Sequence, residues 1–330
     1  MFMSSDFSYD LTVATVCRNA LEVVPRCIAS VLKLQGGALK VEHLLIDGAS
    51  TDGTKEYLQE QADQGRITRL ISEPDKGLYD AMNKAIAHAR GKIIVFINAD
   101  DEICADAVPA CCEPILQGKA DYAVADAVCV YEDKEELFSP CLSRTLWRQP
   151  YCHQSMYCST TLLRNVGGFH WENFRIGADT ELMRRLYMSE ARCVVVPGIA
   201  SRFYDGGVSS TAAVVAERYK LMLHFAEAYR TEVARKPLKI LAVIKHMRRY
   251  AARKVQQENH NALPIEDRAD LTTFIQKVAE DLPFVTRILC KLLLLFQSLV
   301  YSLQIITASS SKKSLYALQG AISRLFAKSI

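Results

Sequence analysis

A chain of 330 residues, half of them hydrophobic, holds enough apolar material for one packed domain plus an appendage, which excludes a disordered or fibrous protein. The formal net charge of +3 conceals two unlike parts: residues 1–210 carry 21 Lys and Arg against 28 Asp and Glu, while residues 211–330 carry 19 against 9. Eleven cysteines, an odd number without a C-x-x-C pair, exclude a zinc ribbon or a disulfide scaffold. Several, such as Cys17, Cys129 and Cys193, sit in apolar runs and read as reduced thiols in a cytoplasm. The start MFMSSDFSYD lacks the basic and then apolar pattern of a signal peptide.

From residue 11 onward, short apolar runs rich in β-branched residues alternate with helical patterns, as in βαβ units around a mostly parallel sheet. Strands are predicted at 11–16, 41–46, 67–72 and 92–97, with helices near 22–33, 53–64 and 78–90. In the third helix Leu78, Met82, Ala85 and Ala89 share one face, and Gly91 stands where a C-cap is expected. The run KIIVFI shows no polar alternation, which predicts a central strand covered on both faces. Beyond residue 120 come strand-like pieces (DYAVADAVCVY, ELFSP), a turn at Gly167 and Gly168, a helix over 179–188, the strand CVVVP and the glycine-rich YDGGVSS. Only helical patterns follow 211.

In open parallel sheets functional groups gather beyond the carboxyl ends of the strands. Those positions hold Cys17, Arg18 and Asn19, then Asp47, Ser50 and Asp52, then Glu73, Asp75 and Lys76, and finally Asn98, Asp100 and Asp101. The rim is polar and mainly acidic. No G-x-G-x-x-G follows the first strand and no G-x-x-x-x-G-K-[ST] loop occurs, which disfavours a dinucleotide fold and a P-loop. Asp100 and Asp101 at the end of a rigid strand suit a hard cation, Mn2+ or Mg2+, that bridges diphosphate oxygens. Equally, the two carboxylates could cap the following helix, ICADAVPACCEPIL.

The combination TVCRNA (15–20), IDGASTDGT (46–54), EPDKGLYDAMNKAI (73–86) and FINADD (96–101), followed by HQSMY (153–157), GGF (167–169), GADTELMRRL (177–186) and GGVSS (206–210), resembles the family 2 glycosyltransferases. The resemblance covers about two thirds of the chain. It implies an α/β GT-A fold, Rossmann-like with helices on both faces of the sheet. The nucleotide-sugar half would take about 1–120 and the acceptor half 121–210, with a C-terminal helical extension over 211–330. It also implies that Asp47 accepts a hydrogen bond from the base, with Thr15 and Asn19 in the same pocket. Asp75, Lys76, Asp80 and Asn83 would line the nucleotide and donor sugar. Asp100 takes the third place of the family's D-x-D motif and the metal. Asn98 replaces the commoner first Asp, so it points to the nucleotide more than to the cation. Asp179 is implied as the general base of an inverting transfer from a nucleotide-diphosphate sugar, UDP-sugar favoured, and His153 and Gln154 as acceptor contacts.

Trp147 and Trp171 offer either stacking faces for sugars or core packing, and Ser209 or Ser210 could approach the diphosphate. The stretch 283–306, interrupted by Arg287 and Lys291, predicts a helix on an anionic membrane surface or one packed against protein, as in a homo-oligomer. Together these readings predict an enzyme on the cytoplasmic side that extends a glycan or lipid-linked acceptor, with no nucleic-acid partner. The alternatives are a nucleotidyltransferase, for which the loop after the first strand lacks glycines, and a non-catalytic scaffold of polysaccharide assembly.

Overall fold

The computed structural model describes residues 7–142, 145, 149–206, 217, 221, 224 and 225. Apart from those last four residues, the expected extension at 211–330 lies outside the described residues, as do its stretch 283–306, Trp147, Ser209 and Ser210. Nine strands form one sheet: β1 (Tyr9–Cys17), β2 (Val41–Asp47), β3 (Arg69–Ser72), β4 (Gly91–Phe96), β5 (Glu102–Ile103), β6 (Tyr122–Val130), β7 (Glu135–Phe138), β8 (Met156–Ser159) and β9 (Cys193–Tyr204). The helices are α1 (Val24–Leu32), α2 (Thr54–Asp63), α3 (Leu78–His88), α4 (Val108–Leu116), α5 (Thr160–Asn165) and α6 (Ala178–Met188).

The sheet runs β3, β2, β1, β4, β8, β6, β9, β5, with β7 attached to β6. Its first four strands are parallel, joined by helical crossovers as the sequence pattern predicts. The second half is mixed. Strand β6 is antiparallel to β7 and β8 but parallel to β9, and β5 is antiparallel to β9. The reason is chain length: only the short turn 131–134 joins β6 to β7, which permits a hairpin and no crossover. Because β2 and β3 lie on one side of β1 and β4 on the other, strand order reverses between β1 and β4. That is where a crevice opens beyond the strand ends.

KIIVFI becomes the central strand β4, as expected, and its residues divide between two cores. Ile93, Val95 and Ile97 join Leu11, Val13 and the Val108, Cys111 and Cys112 side of α4 in one cluster. On the other face Phe96 meets the Phe169 ring edge-on at 5.4 Å, and Phe169 stacks on Tyr79 of α3 at 5.3 Å. Burying each such aliphatic or aromatic side chain contributes about 1.5–3 kcal/mol, which is why β4 anchors both layers. In α3 the buried residues are Tyr79, Ala81, Met82, Ala85 and Ile86, whereas Leu78 is exposed. Leu78 opens the helix, one turn short of the packing surface, and Tyr79 takes its expected place.

Two further expectations change. Gly91 is the first residue of β4 and not a cap. A Cβ there would lie 2.4 Å from the Thr12 backbone nitrogen and 2.6 Å from the Leu11 carbonyl carbon, so β1 and β4 approach only because the side chain is missing. Around it runs a buried polar network: Gly91 N–H donates to Thr12 Oγ1 (2.8 Å), and the Thr12 hydroxyl donates to Glu42 (2.7 Å). Arg90 also donates to Glu42 through its Nε (2.7 Å). Second, Asp100 and Asp101 do not cap a helix. Glu102–Ile103 pair with β9, a single 3-10 turn follows at Ala105–Ala107, and α4 begins only at Val108, where Pro109 suits the first turn.

Among the described residues Cys17, Cys129 and Cys193 are free thiols, and no helix is long and apolar enough to cross a membrane. Replacing Gly91 with Ala is expected to destabilise the fold by roughly 1–3 kcal/mol or more, because backbone and not a flexible side chain must move. The check is a lower urea midpoint with an unchanged denaturant slope.

Candidate active site

The loops after β1, β2 and β3 are stitched into one wall. Asp47 ends β2 with 0% exposure, and its carboxylate accepts from the Ser50 hydroxyl (2.5 Å), the Ser50 amide (3.2 Å) and the Ser72 hydroxyl (2.7 Å). Ser50 Oγ in turn accepts from the Asn19 amide (2.7 Å), while Asn19 Oδ1 accepts from Thr51 N–H (2.9 Å). Asn19 sits at φ 51°, a left-handed conformation that Asn tolerates better than most residues. Gly48 is required here: a Cβ would fall 2.1 Å from Asp75 Oδ2, so the glycine lets the third loop close on the second. Asp75 also accepts from Gly77 N–H (2.9 Å), and Asp80 from Lys76 N–H (2.9 Å), which sets the entry to α3.

This geometry gives several of the expected contact residues partners within the protein. Thr15 is buried inside β1, and its hydroxyl meets His43 Nε2 (3.2 Å) and Cys27 Sγ (3.5 Å). Asp47, enclosed and with both oxygens accepting from protein, stands as the keystone of the wall. Asn83 donates to Phe169 O and accepts from Phe169 N–H, both at 2.8 Å, and thereby clamps the GGF turn on α3. Gly168 must be glycine for that clamp, since φ is 63° and a Cβ would lie 2.4 Å from Asn83 Oδ1. Asn19, Asp75, Lys76 and Asp80 remain at the rim.

At the end of β4 the two carboxylates have different fates. Asp101 has 0% exposure; its Oδ2 accepts from Gln154 Nε2 (2.6 Å) and its Oδ1 from Tyr204 N–H (3.0 Å). Burial, and then the neighbouring Asp100 charge, push its pKa up to about 7. A carboxyl so enclosed joins the loop to β9 and to the turn at His153–Ser155. Asp100 is half-buried. Its backbone carbonyl accepts from Arg26 (2.5 Å), whose guanidinium lies over the Tyr204 ring at 3.6 Å, and no described residue donates to its carboxylate. Close by in sequence, Asn98 Oδ1 is buried and lacks a hydrogen-bond partner. A free carboxylate and an orphaned amide oxygen fit a hard, oxygen-seeking cation. Among the described residues no group of three His, Cys, Asp or Glu could complete a cage, so remaining ligands would come from water and a bound diphosphate.

Helix α6 carries Asp179, 9% exposed. Oδ1 accepts from Thr180 N–H (2.6 Å), and Oδ2 faces His153 Nδ1 at 3.4 Å. Burial pushes the carboxyl pKa up, but the hydrogen bond and charge of His153 lead the opposing causes, with the Thr180 amide, and hold the group below the usual carboxylate range. Gln154, expected at the acceptor, is instead fully buried between Asp101 and the Cys152 thiol, which donates to its Oε1 at 2.7 Å. His153 is turned toward Asp179. Trp171 is half-buried, with Lys76 and Arg175 over its ring at 5.5 and 5.4 Å.

The foundation of α6 is set by residues that the sequence pattern does not single out. Glu217, beyond the expected boundary at 210, accepts from the amides of Arg175 (2.6 Å), Ile176 and Gly177 (both 2.7 Å), and so neutralises the helix entry from a distance. Tyr79 OH donates to Ile176 O (2.6 Å). Glu181, also fully buried, takes a two-pronged contact from Arg185 at 2.7 Å, and Arg185 donates on to Val166 O and Gly168 O. The i, i+4 spacing of Glu181 and Arg185 could have announced that pair. Glu217 carries no such signal.

The Asp101 pKa has a consequence for stability. Between about 4 and 7 the folded chain keeps a proton that the unfolded chain has lost, so the contribution of this group falls as pH rises through that window and is lost above it. In metal-free buffer, Asp101→Asn is expected to flatten that decline, by at most about 1.4 kcal/mol per pH unit, measured as the pH dependence of the Tm.

The chain has relatives among known glycosyltransferases. The profile described as Glycosyl transferase family 2 matches residues 12–171. An uncharacterised glycosyltransferase of Mycobacterium tuberculosis is 30% identical over 181 residues, 53% of this chain and 68% of that protein. A PGL/p-HBAD biosynthesis glycosyltransferase of Mycobacterium bovis is 26% identical over 198 residues, 58% of this chain and 76% of its own. Among solved structures, Staphylococcus aureus TarS 1-349 in complex with UDP-GlcNAc has a similar fold, with a TM-score of 0.61 at 15% identity, covering 84% of this chain and 82% of that one. The mannosyltransferase PcManGT of Pyrobaculum calidifontis, in complex with GDP-Man and Mn2+, gives 0.53 at 17% identity over 97% and 81%. The sheet that reverses between β1 and β4, the site at its carboxyl edge and these similarities together show that the chain belongs to glycosyl transferase family 2 and is a glycosyltransferase.

Proposed function

We propose that the enzyme transfers a sugar from a nucleotide-diphosphate sugar, a UDP-sugar in preference, to a hydroxyl of a glycan or lipid-linked acceptor, with inversion and with Asp179 as general base. The observation that carries this reading is the state of Asp179: nearly enclosed, its charge favoured by His153, and joined through the 153–154 turn to the loop after β4. A carboxylate ionised at neutral pH stands in the form that can accept a proton. The nucleotide sugars bound in TarS and PcManGT support the choice of donor class. A lipid-linked acceptor at the membrane surface fits the basic, apolar composition of 211–330.

In this reading Asn19, Asp75, Lys76 and Asp80 line the donor, and Lys76 offers positive charge to phosphate. Asp100, with Asn98 Oδ1 beside it, would hold a divalent cation such as Mn2+ or Mg2+, which when bound offsets the charge that develops on the diphosphate. Asp179 accepts the proton of the acceptor hydroxyl as that oxygen forms its bond to the anomeric carbon. The bond from the anomeric carbon to the diphosphate breaks, and its electron pair leaves with the nucleoside diphosphate. A single carboxylate suffices for such a displacement, since no covalent sugar-enzyme bond forms.

Two measurements test this. Asp179→Asn is expected to lower kcat by roughly 10^2–10^4-fold while leaving calorimetric UDP affinity within about twofold; turnover close to that of the parent enzyme would overturn the role. Asp100→Ala should raise the Mn2+ concentration for half-maximal activity by about tenfold or more, whereas Asp101→Asn should move it far less, because its carboxylate is already committed to Gln154 and Tyr204. Equal effects of the two would return Asp101 to the metal site.

A further inference from the structure

We propose that His153 is the positioning residue for the base, its Nδ1–H holding the Asp179 carboxylate in place, and that the turn His153–Ser155 ties this base to the donor-side loop after β4. The inference rests on Asp179 acting as the base, and it gives His153 a task other than touching the acceptor.

The tautomer follows from chemistry. A carboxylate only accepts, so at the 3.4 Å contact with Asp179 Oδ2 the hydrogen sits on His153 Nδ1. The ring's other nitrogen, Nε2, is buried and has no hydrogen-bond partner among the described residues. A side chain present only for packing would fill this space without leaving a polar atom bare, because such an atom is costly in the interior. Imidazole is worth that cost where one of its nitrogens has a specific task, here at Asp179.

The next two residues of the turn hold the ring in place. Gln154 Nε2 donates to Asp101 (2.6 Å), and Ser155 Oγ meets Asp126 O (3.0 Å) and Ser201 Oγ (2.6 Å). Adjacent residues of one short turn therefore grip the carboxyl behind the donor loop and the carboxyl of the base. A turn bonded to the loop after β4, to β6 and to β9 holds a side chain more closely than a free loop does. The titratable groups around the pair are Asp179 on α6, Asp101 after β4, Cys152 ahead of the turn and Tyr79 on α3. Among the described residues no Lys or Arg pairs with Asp179, which leaves His153 as the side chain that most favours its charged form.

The test compares His153→Asn, which keeps an N–H near the Nδ1 position, with His153→Gln, which moves it toward the Nε2 position, and His153→Phe, which removes it. Removing the donor raises the Asp179 pKa, so the acid limb of kcat/KM in Gln and Phe variants should move to higher pH by about one unit or more, with kcat at neutral pH down roughly 10–100-fold. His153→Asn should keep the parent limb and most of the rate, and UDP affinity should stay within about twofold throughout. Should the limb stay put in all three variants, or only the acceptor KM rise, the positioning role is wrong. If His153→Phe fails to fold, the Asn and Gln pair still decides. Combining His153→Phe with Asp179→Asn separates this idea from the proposed mechanism: no added loss beyond Asp179→Asn alone means His153 acts through Asp179, and a further loss of tenfold means it does not. An active Asp179→Asn enzyme would instead discard the mechanism itself.

Discussion

A buried carboxyl at the end of the central strand organises this molecule. Asp101 takes hydrogen bonds from Gln154 and from the Tyr204 amide, residues more than fifty positions away, and so fastens the parallel half of the sheet to the mixed half. The interior makes that arrangement strict. An enclosed carboxyl without both donors would be a costly orphan, so the loop after β4, the turn at 153–155 and the end of β9 must assemble together or not at all. Its neighbour Asp100 is held through its backbone carbonyl by Arg26, and no described residue donates to its carboxylate. Two adjacent carboxylates thus divide between architecture and chemistry.

The same logic reaches α6. Its first turn is secured by Glu217 gripping three successive amides, by Tyr79 reaching across from α3, and by the Glu181–Arg185 pair binding the GGF turn. Asp179 stands on that base with His153 beside it. Each support comes from a different part of the chain, and Phe169 packs between Tyr79 and Phe96, so the acceptor-side helix is referenced to the central strand. Family 2 membership accounts for the reaction class. The placement of the side chains accounts for how a carboxylate can remain charged in a nearly closed site.

Much of the fold was legible because backbone sterics and burial leave a mark at short range. The β-branched runs at β1, β2 and β4 and the helical spacing of α3 each lie within a few residues, and their boundaries agree with the structure to within about two positions. The acidic rim was legible for the same reason, since functional groups follow strand ends. What escaped was the allocation of polar groups. Asn83 and Gln154 looked available for ligands, yet their amides are spent on Phe169 and Asp101; Asp47 looked open, yet two serines enclose it. Apart from Ser50, three residues from Asp47, these partners lie 25 to 86 residues apart along the chain, beyond any local pattern.

The sequence by itself determined the alternating α/β plan, the central position of KIIVFI and the gathering of Asp47, Asp75, Asn98, Asp100 and Asp101 at one edge, because periodicity and strand polarity decide these locally. Only the tertiary structure decided which of those carboxylates is free and which is committed, why Gly48, Gly91 and Gly168 admit no side chain, and that His153 faces Asp179. The physical reason is that a polar side chain's role depends on what it meets, and in this chain nearly every decisive meeting is between strands or helices that only the folded sheet brings together.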